Sequence, residues 1–413
     1  MNKHFFFISA LCTLLLLQCT TTDTPAPSRS SDQLDCVENP LPCDLVNTIN
    51  DFGFEVFQGL HQAKPAENSF ISPLSISTAL SMVLNGAEGD TKTAIQNTLN
   101  LKDWQLDEIN KAYLVLLSQL PNLDENVKLQ IANSIWYREG FEVLPDFLDV
   151  NSEFFKSEIE KLDFTKPEAV EIINAWVEDK TEGLIDKILE EIPADAVMYL
   201  INAIYFKGEW TNAFNPEMNY ENTFFAADGQ SEQVEYMTLG KRDFAYFEDE
   251  SMQAISLPYG DSLYSMNIFL PKEGESMDAL ISSLNVTDWN AWQTMYDTTE
   301  VLFAMPKFEL AYEKKLNQIL TDLGMEIAFS GKADFSKINE QGGLKISEVR
   351  HKSFITVDEK GTEAAAVTII GIEATSIPAY AVMEVNRPFV FVIRDHESNS
   401  VLFIGKVLNP SKG

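Results

Sequence analysis

The chain has 413 residues, 45% hydrophobic and 11% aromatic, enough to bury a large core and unlike the composition of disordered or collagenous proteins. Acidic residues number 63 against 30 basic, a formal charge of −33, which argues against the basic patch that phosphate neutralisation needs and so against a nucleic-acid partner. Length alone predicts two or more domains, because single cores stop growing near ~250–300 residues.

Lys3 and His4 precede an apolar run from Phe5 to Leu17, too short to cross a bilayer and of secretory h-region length, so the chain is expected to be exported. Leu16-Leu17-Gln18-Cys19 resembles a bacterial lipobox: residues 1–18 would leave as signal peptide and Cys19 would carry acyl chains, anchoring the protein in the cell envelope. The expected address is the outer membrane or cell surface, with the periplasmic side open. Gln18 departs from the small residue usual there, and an ordinary signal peptide is the other reading. Residues 19–43 read as a flexible tether, rich in Thr, Pro and Ser. Cys12 leaves with the signal, and Cys36 and Cys43 remain. In an oxidising compartment they pair across a short loop, two free thiols being the alternative.

From Asp44 onward no composition break appears. Leu45, Ile49, Phe52, Val56 and Leu60 recur at helical spacing. Ser72-Pro73 opens a second helix, with serine as N-cap and proline at the first helical position, which ends at Asn85-Gly86. Thr165-Lys166-Pro167-Glu168 predicts a capping box, followed by a helix with Val170, Ile173 and Trp176 on one face. Tyr199–Phe206, Leu263–Leu270 and Val301–Leu310 read as strands, and Phe389–Ile393 with Val401–Val407 as a hairpin. Helices crowd the first half and strands the second, so the expected class is α+β.

Enzymatic readings find little support. The four histidines are His4, His61, His351 and His396, and no HExxH, GxSxG, CxxC or P-loop pattern occurs. No catalytic residue, metal or cofactor is expected. Gln341-Gly342-Gly343 reads as a loop, and His351 as a core histidine.

The informative segment is Glu359–Met383. Read with period 2, one face is Thr362, Ala364, Ala366, Thr368, Ile370, Ile372 and Ala374, while Glu363 and Glu373 fall on the other. A strand able to bury one side in a sheet has this pattern.

Several motifs share one resemblance: Asn68–Leu80, Ile131–Trp136, Ile201–Trp210, Asn174–Gly183, Met305–Phe308, His351–Phe354 and Asn386–Phe391. Together they are similar to those of serpins, the serine protease inhibitor superfamily, across nearly all of residues 45–410. The resemblance implies a single serpin domain over 44–413, with helices around a large, mostly antiparallel sheet plus smaller sheets and an exposed reactive-centre loop at about 359–383. It overrides the length-based expectation of two domains. It also implies a suicide inhibitor, whose cleaved loop inserts into the main sheet before the protease can finish hydrolysis, rather than an enzyme.

The family pattern carries further expectations. Glu359, Gly361, Thr362, Ala364, Ala365 and Ala366 form the hinge, with a glycine where insertion starts and small residues that enter a sheet without clash. Counting seventeen residues from Glu359 places the scissile bond at Thr375-Ser376, and Ile370 and Ile372 offer neighbouring bonds. Lys307, Glu359 and Trp210 match the breach, and Ser72, Ser75, Asn202 and His351 the shutter. No Lys or Arg lies between Lys360 and Arg387. The expected partner is therefore an elastase-like or subtilisin-like protease rather than a trypsin-like one, with papain-like cysteine proteases also admitted. The protein is expected to be a monomer touching the membrane only through its lipid. The rival expectation is a non-inhibitory surface binding protein on the same scaffold.

Overall fold

The computed structural model describes residue 36 and residues 39–361 and 380–412. Its first helix, α1 (Leu41–Ala63), has Pro42 in its opening turn, where the missing N–H costs no helical bond. Leu45, Ile49, Phe52, Val56 and Leu60 are all buried, as their spacing predicts. Cys43 lies inside α1 and is bonded to Cys36, with the Cα atoms 5.7 Å apart. The expected Cys36–Cys43 bond is formed, and the tether expected over 19–43 is corrected at its end, where Leu41, Pro42 and Cys43 belong to α1.

β1 (Ser69–Ile71) leads into α2 (Pro73–Leu84), where the Ser72 hydroxyl accepts the Ser75 N–H at 3.2 Å and so satisfies one orphan donor. α3 (Gly89–Thr98), α4 (Leu106–Gln119), β2 (Val127–Arg138), α5 (Pro145–Phe155), β3 (Glu158–Leu162) and α6 (Glu168–Lys180) follow. The capping box expected at Thr165 is absent. The Thr165 hydroxyl donates to Asp163 at 2.6 Å, and α6 begins beyond Pro167 without a side-chain cap. The buried stripe of α6 is Ala169, Ile173 and Val177, with Val170 and Trp176 half-buried beside it.

The second half alternates strands with short helices: β4 (Met198–Gly208), β5 (Tyr220–Phe225), β6 (Ser231–Glu248), β7 (Met252–Tyr259), β8 (Tyr264–Pro271), α7 (Met277–Ser282) and α8 (Val286–Gln293). Then come β9 (Asp297–Pro306), β10 (Phe308–Lys315), α9 (Asn317–Leu320), β11 (Arg350–Val357), β12 (Ala381–Glu384), β13 (Phe389–Asp395) and β14 (Val401–Val407). The run Val301–Leu310, expected as one strand, is two strands in different sheets. It breaks at Lys307, which turns its ammonium toward two carboxylates while Phe308 starts a new ladder.

Among the described residues the largest sheet has nine strands, ordered β1-β14-β13-β8-β7-β6-β9-β12 with β5 also on β6. β8, β13 and β14 are buried along their whole length, which is why their sequences are mostly apolar without a polar alternation, and the polar residues they do carry, Asn267, Asp395 and Lys406 among them, are buried as well. Two smaller sheets complete the framework, β3-β2-β4 and β10-β11. The architecture is the α+β arrangement expected, with most pairings antiparallel and β2–β3 and β9–β12 parallel.

Candidate functional site

Among the described residues β4 pairs only with β2, and β11 only with β10. Between these two strands lies a narrow cavity lined by Ile204 and Phe206 of β4 and Phe354 and Ile355 of β11. Thr181, Leu184 and Ile185, from the turn that follows α6, line the same cavity. A strand edge without a ladder partner presents N–H and C=O groups that accept another strand. The slot can therefore take one.

One end of the slot is closed by the residues that follow β11. The Trp210 N–H donates to Lys360 O at 3.1 Å and the Phe214 N–H to Glu359 O at 2.8 Å, while Glu209 and Gly361 form an antiparallel bridge. Gly361 has φ +119°, and a Cβ there would lie 2.3 Å from Gly208 O and 2.6 Å from Trp210 N. Only glycine fits so close a crossing. Trp210 stacks on Tyr259, ring centroids 4.3 Å apart, and its indole N–H donates to Asp358 O at 2.9 Å.

Glu359 receives Lys307 Nζ at 3.1 Å and the Asn219 amide, and Lys307 also meets Glu235 at 2.5 Å. Burial raises the Glu359 carboxyl, but bonds from its own backbone, Asn219 and Lys307, together with the Lys307 charge, bring it below its ordinary value. Burial works against the Lys307 ammonium, and its two carboxylate partners outweigh it and raise its pKa. The expected breach residues Lys307, Glu359 and Trp210 thus lie around one end of the slot.

In the first half of β11, the Ser72 N–H donates to His351 Nε2 at 3.2 Å, and the Ser353 hydroxyl donates to Phe70 O at 2.6 Å. Burial pushes the His351 imidazole down to about 4, so it stands neutral and accepts through Nε2. Ser72, Ser75 and His351 form one connected set. Asn202 stands apart from it, its amide donating to Asn133 Oδ1 at 2.7 Å on the neighbouring strand.

Cys19, Thr362, Ala364, Ala365, Ala366, Thr375 and Ser376 lie outside the described residues. The chain is described again from Tyr380, and Ala381–Glu384 runs parallel to β9 as β12. Sequence reasoning missed Asn133, Asn219, Glu235, Tyr259 and Ser353. Asn133, Glu235, Tyr259 and Ser353 are placed by strand pairing and Asn219 by the turn before β5, and among them only Asn133 and Ser353 sat within a quoted motif.

The family model for Serpin (serine protease inhibitor) matches residues 47–410. An uncharacterized serpin-like protein of Thermococcus kodakarensis is 33% identical, covering 95% of this chain and 94% of its own length. The solved structure of the thermophilic serpin tengpin in its native state is 39% identical with a TM-score of 0.80, covering 89% of this chain and 94% of that one. Human thyroxine-binding globulin, solved in complex with thyroxine, is 29% identical with a TM-score of 0.81, covering 90% and 99%. The family model, these identities and the fold agree, and the chain belongs to the serpin family.

Proposed function

We propose that the protein inhibits a protease by the suicide route, with Thr375-Ser376 as the bond offered. The serine or cysteine nucleophile of the target attacks the Thr375 carbonyl, the amine of Ser376 leaves, and residues up to Thr375 remain bound to the enzyme as an ester or thioester. Loop insertion into the main sheet then adds a strand and carries the acyl-enzyme away before water completes hydrolysis. The observation that carries this reading is the hinge glycine at the end of a slot whose two strands, among the described residues, have no ladder between them. An inserted strand would gain about 0.5–1.5 kcal/mol per ladder hydrogen bond. It would place Thr362, Ala364 and Ala366 on one face without burying a charge.

The favoured targets are elastase-like or subtilisin-like enzymes, because the segment before the bond carries small and β-branched side chains and no cation after Lys360. Lipid attachment at Cys19 would hold the inhibitor, as a monomer, at the bacterial envelope. Serpins generally inhibit rather than catalyse, and no residue here is assigned a catalytic role.

Likeness to thyroxine-binding globulin favours one second reading, a binding protein on the serpin scaffold that inhibits nothing. The test is incubation of residues 35–413 with elastase-like, subtilisin-like, trypsin-like and papain-like proteases, followed by denaturing electrophoresis and mass spectrometry. An SDS-stable complex with release of the peptide beginning at Ser376 supports inhibition. Cleavage without a complex moves the binding reading ahead.

A further inference from the structure

A second cleft, of about 520 Å³, opens between the end of α1, β1, α7, β10 and the residues after β14. Clefts that hold small molecules run from about 300 to 1,000 Å³. None of the hinge, breach or shutter residues lines it. Met277, Leu310, Ala311, Tyr312 and Leu408 give it an apolar wall.

Its polar end is built by a chain of three side chains. Lys406 is buried, and its ammonium donates to His61 Nδ1 at 2.8 Å, to Lys64 O at 3.1 Å and to Pro65 O at 3.3 Å, which uses all three of its hydrogens. His61 is thereby left to donate from Nε2 to Asp278 Oδ1 at 2.9 Å. Burial and the Lys406 charge hold His61 below its ordinary pKa, so it stands neutral and does not answer the Asp278 charge. Glu67 and Asp228, the other carboxylates of the cleft, are paired with Lys64 at 2.6 Å and Lys412 at 3.4 Å. Asp278, its side chain 77% exposed, has no lysine or arginine in ion-pair contact among the described residues.

Ser69 is an independent sign that a polar guest belongs here. It lines the cleft, and its buried hydroxyl has no hydrogen-bond partner among the described residues. Native folds seldom leave such a group unanswered. Ser69 faces Lys406 across the β1–β14 ladder, so its side chain shares the face on which Lys406, His61 and Asp278 run.

We propose that this cleft binds a small amphipathic amine, with its ammonium between Asp278 and Ser69 and its apolar body against Leu310, Tyr312 and Leu408. An anion would find no free cation, since the Lys406 hydrogens are spent and Lys412 serves Asp228. The net charge of −33 disfavours it further. The site stands whether or not the loop inhibits a protease.

The experiment titrates the full chain by calorimetry with three probes of one shape, phenylbutylamine, phenylbutanol and phenylbutanoate. Wild type is expected to bind the amine with a dissociation constant below about 1 mM, the alcohol severalfold more weakly and the acid not at all. Asp278→Asn keeps the acceptor for His61 and removes the charge, so it should weaken the amine about tenfold and leave the alcohol unchanged. Ser69→Ala should weaken amine and alcohol alike. Ala311→Trp, at an exposed strand position, fills the cleft and should abolish both, with melting temperatures confirming that each variant folds. No saturable binding of the amine to wild type, or equal affinity for amine and acid, overturns the site without recourse to any variant. Undiminished amine binding by Ala311→Trp assigns the amine to the acidic surface at large and overturns it too.

Discussion

Lys307 Nζ lies 3.1 Å from Glu359 Oε1 and 2.5 Å from Glu235 Oε2, so one ammonium joins the start of the hinge to the long strand β6. Lys307 itself sits at the break between β9 and β10, where the chain passes from the large sheet to the slot. A substitution here acts on the hinge and on the junction between sheets together.

Lys307→Ala leaves the two carboxylates facing each other without a cation, with the Glu359 side chain only 12% exposed. Stranding a buried charged partner costs about 1–3 kcal/mol. The expected outcome is a melting temperature lower by several degrees. Glu359 titrates below its ordinary value in the fold, so its contribution is present above pH 4.5 and lost as the pH falls through its folded pKa. Lys307→Ala should flatten that acid limb, which melting curves between pH 3 and 7 would check.

Two histidines give a second, higher acid limb. Burial holds His351 at about 4, and burial with the nearby Arg394 charge does the same for His396. Unfolded histidine takes its proton near 6.5, so stability is full above that pH, falls between 6.5 and about 4, and levels off below. Each contributes up to ~3 kcal/mol across this window. His351→Gln should remove about half of the loss, and denaturant midpoints at pH 7 and pH 4.5 that shift equally in both proteins would contradict the assignment.

Much of this was legible beforehand because it is local. Ser72-Pro73 carries its own cap, and the α1 stripe follows from spacing alone. The Thr165 box failed because Asp163, two residues earlier, offers that hydroxyl a charged acceptor, a competition that the four-residue pattern ignores. Lys307 broke an otherwise continuous strand because its partners, Glu235 and Glu359, are distant in sequence. The same limit applies to the shutter, where resemblance groups Asn202 with His351 and the register hands its amide to Asn133 instead.

Thr362→Arg should convert the inhibitor into a plain substrate. On the period-2 pattern Thr362 shares a face with Ala364 and Ala366, and an unpaired guanidinium buried on that face would cost several kcal/mol. Insertion would stall while hydrolysis proceeds. Gel analysis should then show cleaved chain and free protease, and stable complexes at the wild-type yield would refute the argument.

The segment beyond α6 should set how fast the slot admits a strand. Lys352 of β11 donates to Lys187 O at 2.8 Å, Lys128 of β2 meets Glu182 at 2.7 Å, and Thr181 and Ile185 line the slot between these ties. Exposed pairs of this kind are worth only about 0–1 kcal/mol each, so cutting them should leave folding intact. The double variant Lys352→Met, Glu182→Ala should therefore keep its melting temperature within a few degrees yet insert severalfold faster. Stopped-flow fluorescence of a probe placed on the loop would report that rate, and an unchanged rate would free the segment of any gating role.

Cleavage of the loop without loss of any residue should raise stability sharply. The intact chain leaves the facing edges of β4 and β11 without a ladder between them, among the described residues, and the apolar cavity between them half-lined by Ile204, Phe206, Phe354 and Ile355. Inserting Thr362–Thr375 would supply donors and acceptors to both edges, and on the order of ten new bonds at about 1 kcal/mol each gives roughly 10 kcal/mol. That exceeds the effect of ordinary single substitutions several times over. The expected outcome is a rise in melting temperature of more than 20 °C after a single nick at or just beyond Thr375-Ser376, measured by calorimetry on the unseparated fragments. An unchanged melting temperature would mean that the slot does not receive the loop, and the suicide route would have no driving force.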